Sequence, residues 1–335
     1  MIDKVYKIDC LKWMKKQKRE IVDLTVTSPP YDNLRSYKGY SFKFEEIAKQ
    51  LFRVTKKGGV LVWVIADGTI GGGETGTSFK QALYLKKCGF TLHDTMIYEK
   101  NTSSFPAGSK SNRYTQIFEY MFVFSKGKPK ASNLLRDKLN RWGGHPTSWG
   151  KSSKRQIDGS FDSYGTGKGE IREFGARNNI WKYVCSGGFG QSDKLAYKHP
   201  ATFPEKLAED HILTWSNEDD LVFDPFAGSG TTLLIARKHN RHYVGCEISR
   251  EYYKLIIKRL NRRQEDTVQE QKSEKVCPHC HGDGYLSSTS VRRKRKPKPA
   301  IPVAPVVMPI GEAFGDDVKV GNQPIPPELL ETPKI

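Results

Sequence analysis

The chain has 335 residues, 37% of them hydrophobic, and a formal net charge of +18. That length supports one large domain with insertions or two smaller ones, and the positive balance points to a polyanionic partner, nucleic acid first. No apolar run approaches the ~20 residues of a membrane span, the N-terminus lacks an apolar signal region, and the cysteines form no disulfide framework, so a soluble protein of a reducing cytoplasm is expected, with no membrane partner.

Residues 1–125 alternate strand and helix signals. Val5–Ile8 reads as a strand and Cys10–Lys18 as a helix. Ile21–Thr27 is a strand that runs straight into Ser28-Pro29-Pro30-Tyr31. Phe44–Val54 has helical spacing, and Lys57-Gly58-Gly59 reads as its stop. Val60–Ala66 is nearly all apolar, as a parallel strand covered on both faces must be. A helix over Phe79–Lys87 and strands over Leu92–Glu99 and Ile117–Ser125 follow. Such alternation implies an α/β sheet wound with crossover helices.

Residues 126–200 are rich in Gly, Ser, Lys, Arg and aromatics and show little periodicity. This is too long for an idle connection, so a functional insertion is expected. The alternation returns with a helix over Pro204–Trp215, a strand at Leu221–Phe223, a helix over Thr231–His239, a strand at His242–Cys246 and an amphipathic helix over Tyr252–Arg263. Beyond about residue 265 the chain is charged, then basic and Pro-rich, and is expected to be disordered.

Two segments carry chemistry. In Phe223-Asp224-Pro225-Phe226-Ala227-Gly228-Ser229-Gly230-Thr231-Thr232 a strand ends and a helix begins. Gly228 and Gly230 let the backbone turn sharply beside a ligand, and the free amides of the helix start favour a polar or anionic ligand group. Glu247, at the end of the next strand, is placed to bind ribose hydroxyls. No Gly-Lys-Ser/Thr follows the glycines, which disfavours a phosphate loop, and a nicotinamide fold does not use the Asp-Pro-Phe lead-in. A plain strand–helix turn is the bland alternative.

The other segment is Ser28-Pro29-Pro30-Tyr31. Two prolines fix two torsions and carry no N–H, so the Pro29 carbonyl is held rigidly. With the Ser28 hydroxyl it offers two acceptors for an exocyclic –NH₂, and Tyr31 offers a flat face for the ring. A Pro-Pro-Tyr in a simple loop is the alternative.

In this order, the two segments resemble the amino-methylating DNA methyltransferases that act on cytosine N4 or adenine N6, in the permuted beta arrangement with the catalytic motif first. The resemblance spans about residues 3–264. It implies a Rossmann-like S-adenosylmethionine-dependent fold, a mixed α/β sheet with an inserted recognition region, and double-stranded DNA as partner. It carries Ser28, Pro29, Pro30 and Tyr31 over as catalytic residues. It carries Asp224, Pro225, Phe226, Ala227, Gly228, Gly230, Thr231 and Glu247 over as cofactor-binding residues, and Asp9 as the acid near the cofactor adenine. Ile97–Asn101 resembles the segment lining the base pocket, and Asn179-Ile180-Trp181 and His199–Glu205 resemble stretches over the methionine end. Ser at position 28 and the His-Pro-Ala-x-Phe-Pro-Glu form resemble the cytosine-N4 subgroup; adenine N6 stays open. RNA or protein-amide methylation and an inactive DNA-binding relative are the rival readings.

The resulting layout is a methyltransferase domain at 1–264, with 101–180 as the inserted DNA-recognition region, and a tail at 265–335. Within 101–180, Arg113, Arg136, Arg141, Lys151, Lys154, Arg155, Lys168, Arg172 and Arg177 lie among Trp142, Trp149, Phe161 and Tyr164, a mixture suited to phosphate and base contact. In the tail, Cys277 and Cys280 resemble half of a structural zinc site, and zinc wants four ligands. A monomer and a dimer both remain open. The expected location is the cytoplasm, at the nucleoid or inside a host cell if a virus encodes the chain.

Overall fold

The computed structural model describes residues 2–30, 42–101, 112–146, 152–164, 169–184 and 190–273. All lie in the first of two units, Met1–Val276; the second is Cys277–Ile335. Tyr31, Lys151, Trp149, Lys168, Cys277 and Cys280 therefore fall outside the described residues.

Eight strands form one sheet: β1 (Lys4–Lys7), β2 (Val22–Thr27), β3 (Thr55–Ile65), β4 (Thr91–Lys100), β5 (Phe118–Ser125), β6 (Ile180–Tyr183), β7 (Leu221–Asp224) and β8 (His242–Glu247). Their spatial order is β1-β8-β7-β2-β3-β5-β4-β6. Every pairing is parallel except those of β5, which is antiparallel to both β3 and β4. Seven strands therefore end on one edge, and that edge gathers Ser28, Asp224 and Glu247.

The sheet is buried on both faces. Helices α1 (Cys10–Lys15), α2 (Phe44–Val54) and α3 (Thr77–Lys87) cover one face, and α4 (Glu205–Trp215), α5 (Thr231–Lys238) and α6 (Arg250–Ser273) cover the other. Strand alternation divides β3 between them: Val60, Val62 and Val64 join the α4–α6 side, and Leu61, Trp63 and Ile65 the α1–α3 side. Each such buried side chain contributes roughly 1.5–3 kcal/mol, which is why this strand is apolar throughout.

Three sequence expectations need correction. Lys57-Gly58-Gly59 is not a helix stop. The helix ends at Val54, and the glycines form an irregular start to β3, with a register shift opposite Val22 and Leu24. Gly58 has φ +78° and exchanges backbone hydrogen bonds with the turn after β5, and a Cβ on Gly59 would lie 2.8 Å from Thr55 Cγ2. Secondly, Asn179-Ile180-Trp181 does not cover the cofactor turn. Ile180–Tyr183 is the edge strand, five strand positions from β7, or roughly 24 Å away. Thirdly, residues 101–180 are not all insertion, because Phe118–Ser125 is an inner strand of the sheet. In addition, α6 carries helical backbone to Ser273, past residue 264.

The insertion proper leaves β5 and returns at β6. Asn133 anchors it to the end of α4 through the carbonyls of Leu213 and Ser216, both at 3.3 Å. Arg177 joins it to Asp137 and, at 2.6 Å, to Asp210 of α4, which also accepts from the Tyr183 hydroxyl at 2.8 Å. Beyond this root, Lys138–Leu139 pairs with Phe174–Gly175, and Ser152–Arg155 with Phe161–Tyr164, as small antiparallel ribbons. No helix among the described residues is long and apolar enough to cross a membrane.

Candidate active site

The sheet reverses its winding between β7 and β2. From β7 the chain proceeds through α5 to β8 on one side; from β2 it proceeds through α2 to β3 on the other. Ligands of open α/β sheets bind in the crevice outside such a point. Here the crevice has Ser28 on one lip and the Asp224–Thr231 turn on the other.

The lips are joined directly. Thr27 Oγ1 donates to Asp224 Oδ1 at 2.7 Å, linking residues 197 apart in the chain. The Thr232 hydroxyl donates to the Val26 carbonyl at 3.1 Å. Ser28 follows as a half-buried residue and Pro29 is buried. A further link is aromatic: Phe42 lies 5.6 Å from Phe226, edge to face.

The turn needs its glycines. Gly228 has φ +52° and Gly230 φ +82°, a region that side chains other than glycine enter at a cost of ~1–2 kcal/mol. A Cβ on Gly228 would stand 3.0 Å from the His199 ring, and one on Gly230 would stand 2.8 Å from Ile256. His199 therefore rests on the turn. Its ring lies 4.4 Å from that of Tyr252.

Three carboxylates gather at the ends of the adjacent strands β1, β8 and β7. Asp9 follows β1 and caps α1, accepting from the Lys12 amide at 2.9 Å. Glu247 accepts from the amides of Gly228 and Ser249, both at 2.8 Å. Asp224 accepts from Thr27 and from the Phe226 amide at 3.1 Å. Burial pushes the Asp224 carboxyl up to about 6, more than its hydrogen bonds from the Thr27 hydroxyl and the Phe226 amide lower it. Burial also raises the Glu247 carboxyl, and the Asp224 charge adds to this. Among the described residues no base is paired with Asp224 or Glu247, and a site with these acids disfavours phosphate. It suits a ligand that brings hydroxyls and positive charge.

The Asp224 carboxyl has a stability signature. Its value in the fold lies above the ~3.9 of an unfolded chain, so the neutral form is favoured by folding. That contribution is complete below pH ~4 and is lost as the pH rises through about 6. Asp224→Asn cannot titrate. The difference in unfolding free energy between wild type and this variant should therefore move against wild type by ~3 kcal/mol between pH 4 and 7. Denaturant titrations of the ligand-free proteins would measure it, and a difference independent of pH refutes the assignment.

Cys10 and Cys246 sit at the same strand ends but are buried. Burial pushes the Cys10 thiol up to about 12 and the Cys246 thiol well above its ordinary value. Neither is a ready nucleophile. Among the described residues no cluster of His, Cys, Asp and Glu could hold a metal ion, and Cys277 and Cys280 lie outside them.

Several site residues escaped the sequence reading. Thr27 and Thr232 looked like ordinary strand and helix residues. Arg259 is fully buried behind the turn; its signal was a charged residue one position before Leu260 and three after Ile256, on an apolar stripe. Conversely, two arginines expected to face DNA are engaged elsewhere. Arg177 holds the insertion root, and Arg113 bonds Glu74 and the Gly72 carbonyl, both at 2.9 Å. Glu99 and Lys100 of the expected base-pocket segment pair with Lys182 and Glu119.

A family model described as DNA methylase matches residues 22–258. The orphan methyltransferase M.BamHII of Bacillus amyloliquefaciens is 57% identical over 245 residues, covering 71% of this chain and 88% of the relative. The type II methyltransferase M.ScaI of Streptomyces caespitosus is 27% identical over 265 residues, covering 76% and 80%. Among solved structures, the PvuII DNA methyltransferase (cytosine-N4-specific) aligns with a TM-score of 0.55 at 20% identity, over 76% of this chain and 84% of that one. The last is a likeness of fold.

Proposed function

The chain belongs to the DNA methylase family, and on that premise we propose that it transfers the methyl group of S-adenosylmethionine to the exocyclic amine of a base flipped out of double-stranded DNA, with cytosine N4 as the target. The observation that carries this reading is the Thr27–Asp224 hydrogen bond. It holds the Ser28-Pro29 strand end beside the Asp224–Thr231 turn, which supports a reading in which methyl donor and amine meet at one strand edge.

The acids fit the cofactor. Glu247 is 8% exposed at the end of β8, where its carboxylate would take the ribose hydroxyls. Asp9, one strand away, would take the adenine. The acidic surroundings favour a ligand carrying ammonium and sulfonium charge over a phosphorylated one. When bound, the cofactor supplies a methyl group activated by its sulfonium.

The protein's part is orientation. An aromatic amine is a poor nucleophile because its lone pair is delocalised into the ring. The Ser28 hydroxyl and Pro29 carbonyl would accept its two hydrogens and draw the nitrogen toward pyramidal geometry, with the lone pair aimed at the methyl; the N–C bond forms as the C–S bond breaks, its electron pair staying on sulfur, and the methylated nitrogen then loses one of its two protons to water past these acceptors. Holding the reactants in line is worth up to ~7–11 kcal/mol of barrier. No covalent enzyme intermediate is required, in keeping with the two buried thiols. The target base must leave the duplex, because its amine is otherwise paired and stacked.

Ser28, in place of an acid, supports cytosine. Purified protein, methyl-labelled S-adenosylmethionine and DNA, followed by nucleoside hydrolysis, should yield N4-methylcytosine. N6-methyladenine would correct the target. Label found only in RNA or protein would overturn the reading.

DNA recognition is assigned to the insertion. Arg136, Arg141, Lys154, Arg155 and Arg172 are exposed, as are Trp142 and Phe161, and Arg141 stacks on Trp142 at 5.3 Å. A two-stranded ribbon such as Ser152–Tyr164 fits a major groove. Lys154→Ala with Arg155→Ala should weaken DNA binding ~10-fold and flatten its salt slope by about 2. Anisotropy titrations across salt concentrations would show it; an unchanged slope would remove these residues from the interface.

A further inference from the structure

Arg259 of α6 is 0% exposed. A charge so placed persists only if it is paired and its donors are used. Nη1 donates to the Ser229 carbonyl at 2.5 Å and lies 3.4 Å from Thr231 Oγ1. Nη2 lies 3.3 Å from Gln191 Oε1 and 3.4 Å from Glu205 Oε1, and Nε lies 3.2 Å from Asp193 Oδ2.

These partners belong to two walls. Ser229 and Thr231 belong to the cofactor turn. Gln191, Asp193 and Glu205 bracket the segment whose His199 rests on Gly228. Gln191 ties the walls again, accepting from Thr231 Oγ1 at 3.2 Å and donating to the Phe203 carbonyl at 2.5 Å. A planar fork with five donors can bridge both walls at fixed spacing; a lysine cannot.

We propose that Arg259 is a positioning residue that sets the spacing between the Ala227–Thr231 turn and the 191–205 segment, and so governs affinity for S-adenosylmethionine more than the rate of methyl transfer. This rests on the cofactor assignment above. Arg259 touches no reacting atom. It acts through the Ser229 carbonyl and through Gln191.

The test uses full-length Arg259→Lys, Arg259→Met and Gln191→Leu, with S-adenosylmethionine titrated calorimetrically and steady-state methylation of DNA. The cofactor Kd and KM should rise ~10-fold in Arg259→Lys and ~100-fold in Arg259→Met, while kcat at saturating cofactor falls less than ~3-fold and the DNA Kd stays put. If Arg259→Met fails to fold, Gln191→Leu carries the same test with an expected rise of ~5-fold. Variants that bind cofactor like wild type, or lose kcat with an unchanged KM, overturn the proposal alone. Wild-type protein that binds no S-adenosylmethionine overturns the cofactor reading and this proposal with it.

Discussion

Replacing Ser28 with alanine should lower kcat ~10²–10³-fold while the affinity for S-adenosylmethionine stays within ~3-fold of wild type. The hydroxyl is one of two acceptors proposed for the amine, and its value rises as the nitrogen pyramidalises and its hydrogens become more acidic. An interaction that strengthens toward the transition state appears in kcat rather than in binding. Removing one such preorganised group typically costs that much. The substitution leaves the Thr27–Asp224 bond intact, so the cofactor side should not notice it. Single-turnover transfer of labelled methyl to DNA, beside cofactor titration, separates the two effects. Turnover equal to wild type would remove Ser28 from the chemistry.

Glu247→Ala is expected to have the largest effect on binding, raising the cofactor Kd ~10²–10³-fold. A carboxylate bonded to two hydroxyls is worth ~1.5–3 kcal/mol for each bond. The loss reaches further, because Glu247 also receives the Gly228 and Ser249 amides. The truncation orphans both donors and loosens the turn at the residue where His199 rests. Glu247→Gln keeps an acceptor for one amide and should fall between. Burial raises the wild-type carboxyl, so cofactor affinity should weaken as the pH is lowered into the range where Glu247 protonates, and this dependence should vanish in Glu247→Gln. Equal affinity in the alanine variant would refute the assignment.

Much of this was legible in the sequence because the relevant signals are local. Phe44–Val54 is a helix to the residue, since its apolar spacing is written within one segment. The strand–turn–helix setting of Asp224, Gly228 and Gly230, and the strand end at Glu247, were readable because such a unit needs only its neighbours. What stayed hidden depends on distant partners. The Lys57-Gly58-Gly59 bulge exists because Lys126 and Lys130 arrive opposite it. The edge strand Ile180–Tyr183 has four residues, two of them buried, too few for its period to stand out from a loop-rich stretch. Arg259 looked like one more cation on a helix until partners such as Ser229, Gln191 and Asp193, all far away in sequence, were brought to it by the fold.

The root and the tip of the insertion have different partners. Asn133 and Arg177 fasten the root to α4, whereas the backbone bonds from Asn140 to Glu173, Gly144 to Ile171 and Ile171 to His145 close within the tip. The tip is therefore exchangeable in principle. Under the DNA-recognition role proposed for the insertion, a relative's loop grafted between Asn140 and Glu173 is expected to change which DNA sequence is visited while the Thr27–Asp224 link between the lips stays as it is, so one catalytic frame would be retargeted by exchanging the tip alone.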